Sequence, residues 1–277
     1  MAVAGFENHV LVFGAADGAE RLRLEHERRV ESLAFSPNGK HLLTGSEDGR
    51  ARVFDLADGR LLATIGSMAR VTSVAFSPNG SLLATGTDRS YYFDADGTYQ
   101  VAEEEGGTLT VANGETFETI VTVNQPQRIN ELAFSPESNL LATASIDGSA
   151  RVFDARSGQE RFRVNHEEAV QSVDFSPYGR FLLTASTDTT ARLSRVEDGS
   201  EVLRVTHTRT AVRAVFSPTG RYFASGSLDG GVRIVETASG REVARIEHEG
   251  WIHDIEFSPN GRLIATTAGG ESRPERR

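Results

Sequence analysis

The sequence predicts an all-β protein of the β-propeller class, and two observations support this prediction. A phrase that begins Phe-Ser-Pro occurs six times in the 277 residues, at Phe35, Phe76, Phe134, Phe175, Phe216 and Phe257. The successive intervals are 41, 58, 41, 41 and 41 residues, so one unit is copied along the chain. A period of about 40–45 residues is typical of propellers, in which each repeat forms a four-stranded sheet.

Each repeat is predicted to form four short strands joined by tight turns. In the third copy the strand segments are INELAF (129–134), NLLATAS (139–145), SARVFD (149–154) and QERFRVN (159–165). The intervening residues are rich in Pro, Gly, Asp and Ser, which favour turns. Four strands in this order predict an antiparallel meander. Because a lone meander leaves two faces and two edges exposed, the copies must pack face to face, which predicts a propeller.

The second repeat is 17 residues longer than the others. We place the extra residues after Phe93-Asp94, in a stretch that contains the acidic run Glu103–Glu105. Asn113-Gly114 favours a two-residue hairpin turn. These features predict an inserted hairpin of residues 97–115 that projects from blade two. We interpret it as a tolerated surface insertion, and a contact specific for a partner is the alternative.

The two ends of the chain predict one further blade. HVLVF (9–13) aligns with the third strand of the next repeat, so the sequence opens inside a repeat. Strands at 9–13 and 19–25 are expected to pair with strands at 252–257 and 262–268. This pairing would close a single domain of six blades without open edges.

A fragment of a seven-bladed propeller is the alternative. Met1–Gly5 also aligns with a second strand, and Gly270 replaces the turn Asp of the last copy. ESRPERR (271–277) departs from the repeat and is expected to be a charged tail.

Polar residues recur at fixed places in the repeats. A His lies nine residues before the Phe at His26, His166, His207 and His248, with Ser67 and Gln125 in two other copies. A turn Asp follows the second strand at Asp48, Asp88, Asp147, Asp188 and Asp229. A hydroxyl lies on the second strand at Thr44, Thr85, Thr143, Thr184, Ser225 and Thr266. The third strand ends with Phe54-Asp55, Phe93-Asp94, Phe153-Asp154, Ser194-Arg195 and Val235-Glu236.

This pattern resembles the WD40 repeat family, whose unit carries a Gly-His, a turn Asp and a closing Trp-Asp. The resemblance implies a hydrogen-bonded tetrad of His, Asp, hydroxyl and Trp within each blade. It assigns structural roles to His26, Asp48, His166, Asp147, His207, Asp188, His248 and Asp229. We expect removal of the Asp147 carboxylate to leave His166 unsatisfied. Phe in place of Trp would keep the packing but lose the indole N–H donor.

Composition and spacing argue against catalysis and metal binding. The chain has no cysteine, which excludes disulfides and thiolate metal sites. Equivalent histidines on neighbouring sheets would lie at least about 10 Å apart, too far to share one zinc ion. No nucleophile elbow, phosphate-binding loop or zinc-protease motif occurs. We therefore expect no enzyme activity and no cofactor, and a propeller enzyme with an axial metal is the remote alternative.

Charge and hydropathy exclude two classes of partner. No stretch approaches the roughly 18 consecutive apolar residues of a membrane helix. The net charge of −10 disfavours nucleic acid and anionic lipid. Lys40 is the only lysine beside 28 arginines, a bias that we attribute to a prokaryotic genome. These observations predict a monomer in the cytoplasm.

The loops before the first strands are the predicted protein-binding face. The resemblance implies that peptides and proteins dock there, and these loops carry Arg29, Arg70, Arg128, Arg209 and Trp251. Arg and Trp dominate interface energetics, and clustered Arg favours an acidic or phosphorylated segment. The sequence thus predicts a non-catalytic interaction scaffold. The alternative is a sensor module cut from a larger protein that also has a kinase or NTPase domain.

Overall fold

A computed structural model of the chain describes residues 1–4, 8–66, 69–93, 98–101 and 106–270. All the secondary structure in these ranges is antiparallel strand and turn, and the predicted β-propeller fold class is confirmed. The described residues contain no helix, and so none with the length and apolar character of a membrane span. The chain forms two compact units: Met1–Asn139 with Asp154–Gln159, and Leu140–Phe153 with Glu160–Arg277.

The first unit consists of consecutive antiparallel hairpins. Its strands are β1 (Ala2–Ala4), β2 (His9–Phe13), β3 (Glu20–Glu25), β4 (Val30–Phe35), β5 (His41–Ser46), β6 (Arg50–Asp55), β7 (Leu61–Gly66), β8 (Ala69–Phe76), β9 (Leu82–Phe93), β10 (Tyr99–Val101), β11 (Gly107–Asn113), β12 (Thr119–Gln125) and β13 (Ile129–Phe134). One sheet has the order β1-β2-β3 and the next β4-β5-β6-β7. In the third sheet β9 pairs with β8, β10 and β11, and β11 pairs with β12.

The second unit repeats the same meander. Its strands are β14 (Leu140–Ser145), β15 (Ser149–Asp154), β16 (Glu160–Asn165), β17 (Val170–Phe175), β18 (Phe181–Ser186), β19 (Thr190–Arg195), β20 (Glu201–Thr206), β21 (Ala211–Phe216), β22 (Tyr222–Ser227), β23 (Gly231–Glu236), β24 (Glu242–Glu247), β25 (Trp251–Phe257) and β26 (Ile264–Gly269). Strands β17 to β20 form one four-stranded sheet and β21 to β24 another, while β25 pairs with β26.

Burial follows the position of each strand in its repeat. In β5, β14, β18 and β22, the second strands, every residue after the first is buried, because both faces of the sheet are covered. In each of the fourth strands β7, β16 and β20 only the fifth residue is buried. A fully covered central strand and a half-covered outer strand are expected when four-stranded sheets pack face to face.

Small residues allow the stacked sheets to approach closely. A Cβ added at Gly45 would lie 2.6 Å from Val71 Cγ1, and one at Gly226 would lie 2.6 Å from Ile255 Cδ1. The equivalent position in β18 is Ala185, which packs in one core cluster with Ala211. The residue on the second strand is therefore matched in size to the first strand of the following repeat.

The Phe-Ser-Pro phrase forms the turn between the first two strands of a repeat. In the first full repeat the Gly39 amide donates to the Ser36 carbonyl at 2.8 Å, and the His41 amide donates to Ser36 Oγ at 2.9 Å. Gly39 has a φ of 68°, a left-handed conformation that glycine adopts without strain. The third copy has Ser138 there with a φ of 62°, so the turn shape is retained without the glycine.

The extra residues of the second repeat lie elsewhere than predicted. Strand β9 continues through Asp88 to Phe93 and pairs with β10, so the insertion separates the second strand from the third. The third strand is β11. Its Ala112 pairs with Leu83 of β9, just as Phe54 of β6 pairs with Leu42 of β5 in the preceding repeat. The predicted 97–115 hairpin and the assignment of Phe93 to the closing pair are wrong.

Two further predictions for this repeat are wrong for the same reason. Asp88 lies within β9 rather than in a turn. Asn113-Gly114 does not form a two-residue hairpin turn, because the Asn113 amide donates to the Glu118 carbonyl at 2.9 Å around a longer loop. Asn113 Oδ1 accepts from the Glu115 and Thr116 amides, and Asp154 Oδ1 accepts from two amides of its own turn in the same way.

The ends of the chain also pair differently from the prediction. Strand β2 has β1 on one edge and β3 on the other, and β25 pairs with β26. The predicted pairing of residues 9–13 with the C-terminal strands is therefore wrong, because Ala2–Ala4 takes that edge. The alignment of the first residues with a second strand correctly indicated β1. Residues 94–97, 102–105 and 271–277 lie outside the described part of the chain, as does Ser67.

Candidate functional site

The four histidines of the column contact hydroxyl groups of the second strands. In four repeats the Nε2 atom of the His lies 2.8 Å from the hydroxyl oxygen of the second strand. The pairs are His26 with Thr44, His166 with Thr184, His207 with Ser225 and His248 with Thr266. Phe54 packs edge-on against the His26 ring at 5.6 Å between centroids, so it supplies the packing expected of the missing Trp.

The best-connected histidine is His166. Its Nδ1 lies 2.8 Å from Asp188 Oδ2, and because a carboxylate only accepts hydrogen bonds, Nδ1 carries the proton. Thr184 then donates to Nε2. Burial and the charge of Arg192 lower the pKa of His166, so its ring is neutral at pH 7.

The prediction that Asp147 supports His166 is wrong, because Asp188 does so. A histidine that precedes the first strand reaches forward to the turn after its own second strand, 22 residues along the chain. Asp147 belongs to the preceding repeat, where it accepts from Ser149 Oγ at 2.5 Å and from Arg151 Nη2 at 2.8 Å.

The other histidines of the column contact the turn Asp of their own repeat less closely or not at all. His26 Nδ1 lies 3.1 Å from the Leu24 carbonyl, while Asp48 accepts from the Glu27 amide. His207 Nδ1 lies 3.7 Å from Asp229 Oδ2, beyond hydrogen-bonding distance. In the last repeat Gly270 stands where the turn Asp would lie.

A column of arginines escaped the sequence analysis. Each lies four residues after a turn Asp and forms a 2.8 Å ion pair with it, as in Asp48–Arg52, Asp147–Arg151 and Asp188–Arg192. The signal was present, since Arg occupies the third position in RARVFD, SARVFD and TARLSR. In two repeats the guanidinium also approaches a Glu on the fourth strand, at 3.7–3.8 Å in Arg151–Glu160 and Arg192–Glu201.

We expect the protein to lose stability as the pH falls from about 6.5 towards about 4. Burial is the main cause of the lowered pKa of His26, His166 and His207, and that of His207 falls to about 4. The unfolded chain binds these protons first, so the contribution is complete above pH 6.5 and declines below it. Melting temperatures measured at intervals between pH 7.5 and 4.5 test this expectation. A smaller decline in His207→Gln would support it, and a flat profile in the unaltered chain would contradict it.

The predicted binding residues Arg29 and Arg70 lie around Glu31. Arg70 Nη2 lies 2.8 Å from Glu31 Oε2 and 3.6 Å from Glu47, and its side chain is only 14% exposed. Arg29 Nε lies 3.4 Å from Glu31 and its side chain is 42% exposed. Burial and a hydrogen bond to Glu31 raise the pKa of Glu47. These arginines neutralise the protein's own carboxylates, which leaves less positive charge for a partner than the sequence suggested.

The remaining predicted binding residues are Arg128, Arg209 and Trp251. Arg128 lies 3.9 Å from Asp88. In the second unit the exposed Arg209 guanidinium lies over the Trp251 indole, 5.8 Å from its centroid, and the Trp251 side chain is 36% exposed. A Cβ at Gly270 would lie 3.1 Å from the indole ring, so the glycine makes room for Trp251.

Among the residues whose structure is described, no three His, Cys, Asp or Glu side chains lie close enough to hold a metal ion. The described geometry therefore supplies an internal polar network and an exposed cation–aromatic pair, Arg209–Trp251, here called the Arg–Trp patch.

Comparison with known families identifies the repeats. Residues 20–55, 59–98, 200–236 and 240–272 match the WD40 family, described as WD domain, G-beta repeat, and together they make up more than half of the chain. Residues 109–206 match the family described as Eukaryotic translation initiation factor eIF2A. No curated protein matches the chain.

Proposed function

Since the chain belongs to the WD40 repeat family, we propose that it is a non-catalytic scaffold that docks a protein or peptide segment. WD40 repeats suggest a protein-interaction propeller. We further propose which surface of this chain docks the segment. The Arg–Trp patch of the second unit carries this proposal, because it brings two of the predicted binding residues together at an exposed position.

The chemistry of the Arg–Trp patch suits an acidic segment. The indole offers a broad apolar face, and the guanidinium above it offers N–H donors to a carboxylate or phosphate. Such residues dominate interface energetics because they combine desolvated area with directional hydrogen bonds. The partner proposed is therefore an acidic or phosphorylated segment, bound by a cytoplasmic monomer.

The patch is held in place from both sides. Ser227 Oγ donates to the Arg209 carbonyl at 3.0 Å, which fixes the loop before β21. Trp251 is the first residue of β25 and pairs with Gly269 of β26. A partner thus meets a preformed surface, so little ordering entropy is lost on binding.

Intrinsic fluorescence tests the proposal directly, because Trp251 is the only tryptophan of the chain. We expect a Glu-rich peptide and its phosphoserine counterpart to shift the Trp251 emission saturably, whereas a Lys-rich peptide should not. Arg209→Ala should weaken binding at least tenfold and leave the melting temperature unchanged, since an exposed guanidinium adds little stability. Arg221→Ala is the matched control, because Arg221 also lies over an aromatic ring, that of Tyr222 at 5.0 Å. Equal losses in both variants, or no emission shift with any acidic peptide, would contradict docking at the patch.

A further inference from the structure

A pocket of about 310 Å³ opens in the second unit beside the turn that precedes β23. Its lining residues are Thr208, Asp229, Gly231, Arg233, Arg245 and Glu247. We call it the Gly231 pocket, because the residue at that position distinguishes this repeat from its neighbours.

Two other repeats carry a hydroxyl where this one carries Gly231. Thr190 Oγ1 donates to Asp188 at 2.6 Å and accepts from Arg192 Nε at 3.1 Å. Ser149 Oγ donates to Asp147 at 2.5 Å and accepts from Arg151 Nε at 2.9 Å. The hydroxyl thus links the arginine of the third strand to the turn aspartate. Gly231 has no side chain to make this link.

The absence of the hydroxyl coincides with an unsatisfied ring nitrogen. The His207 side chain is 0% exposed, and within the described part of the chain no partner lies within hydrogen-bonding distance of its Nδ1. In the neighbouring repeat Thr190 Oγ1 lies 3.3 Å from His166 Nδ1. An oxygen placed in the Gly231 pocket as Thr190 Oγ1 is placed would therefore lie within reach of His207. A buried polar atom without a partner destabilises the fold, and a bound hydroxyl would supply that partner.

The charges around the pocket disfavour an anion. Asp229 and Glu247 line it together with two guanidiniums, and Glu242 lies 3.0 Å from Arg245 and 3.7 Å from Arg233. Three carboxylates thus offset two arginines. A neutral ligand with a hydroxyl group fits better, since one hydroxyl can accept two hydrogen bonds and donate one.

We propose that the Gly231 pocket binds a small neutral polyhydroxylated molecule, one hydroxyl of which takes the place that Thr190 Oγ1 holds in the neighbouring repeat. That hydroxyl accepts from Arg233 and from His207 Nδ1, and it donates to Asp229. The volume of the pocket lies at the lower end of the range of about 300–1,000 Å³ that is typical of small-molecule sites. This proposal does not depend on docking at the Arg–Trp patch.

The test uses the whole chain with glycerol and D-glucose as probes and inorganic phosphate as the anionic comparison. We expect saturable binding of at least one polyol in ligand-observed NMR, with a dissociation constant on the order of millimolar. Gly231→Ser should weaken it at least tenfold, because the serine supplies its own hydroxyl to the pocket. Gly231 does not have a positive φ, so its backbone accepts a serine. Arg233→Ala should also weaken binding, and it tests the proposal if the serine variant fails to fold.

The imidazole nitrogen resonances provide a second measurement in the same sample. The polyol should shift the Nδ1 resonance of His207 and leave that of His166 unchanged, because Asp188 already satisfies His166. Three outcomes would overturn the proposal: no saturable polyol binding, equal binding to Gly231→Ser, or binding of phosphate alone.

Discussion

Replacement of Asp188 by alanine is expected to lower the free energy of unfolding by about 3–5 kcal/mol, the cost of removing one partner from a buried ion pair. Its Oδ2 lies 2.8 Å from both His166 Nδ1 and Arg192 Nη2. Its Oδ1 accepts from the Thr190 amide and hydroxyl. The substitution therefore leaves the buried Arg192 guanidinium with only Glu201, 3.8 Å away, as a counter-ion and removes the closest acceptor of the buried His166 imidazole. Denaturant unfolding of the purified chain measures the loss.

Asp147→Ala is the matched control, because Asp147 holds an arginine and a hydroxyl but belongs to a repeat with Gln125 in the histidine slot. Its expected cost is about 1–3 kcal/mol. If both variants lost the same stability, the histidine would contribute nothing to the network, contrary to the geometry.

The dependence of stability on pH distinguishes the contribution of the Asp188 carboxylate from that of the histidines. Burial alone would raise the pKa of Asp188, but hydrogen bonds from Thr190 and His166 hold it well below its usual range. Its contribution is therefore complete above about pH 3.8, the ordinary pKa of Asp, and is lost as the pH falls further. The histidines lose their contribution at higher pH, between about 6.5 and 4. Asp188→Ala should therefore change the dependence of stability on pH mainly below that range.

Arg70→Glu is expected to destabilise the first unit by about 3 kcal/mol or more, since it removes the closer of the two partners of the poorly exposed Glu31 and adds a like charge. The new carboxylate would also lie near Glu47, which Arg70 approaches at 3.6 Å. The melting temperature measures the effect.

Arg29→Glu is the control for this prediction. Its guanidinium contacts the same Glu31 but is 42% exposed, so solvent screens the pair and the expected change is within about 1 kcal/mol. Equal and small effects of the two reversals would mean that Arg70 is free to contact a partner. The first unit would then regain its place as a candidate docking surface.

Repetition explains why so much of the fold was predictable. Six copies of one phrase define where strands and turns fall, and the pattern of His and hydroxyl identified contacts that the structure forms at 2.8 Å. The second repeat was misassigned because Phe93-Asp94 imitates the closing pair of its neighbours. The burial of Ala112 opposite Leu83, which identifies the true third strand, is a property of the packed sheet.

The site was less predictable because its charges are paired through space. Arg70 meets Glu31 from the preceding repeat, and no other copy carries a carboxylate at the position of Glu31. From the sequence alone, Arg29 and Arg70 were both expected to contact a partner. The space for the Trp251 indole depends on Gly270, a residue that had seemed only a departure from the repeat.

The close approach between successive sheets means that the repeats are not interchangeable modules. Gly226 has the β-branched Ile252 opposite it, whereas Ala185 has the small Ala211. The two junctions therefore differ in how side-chain volume is shared between the second strand and the first strand of the following repeat. Transplanting the β18 sequence into the position of β22 would put a methyl group 2.7 Å from Ile252 Cγ2. Side-chain volume therefore distinguishes a junction of the Gly226 kind from one of the Ala185 kind, and these copies cannot be exchanged even though their strands and turns are alike.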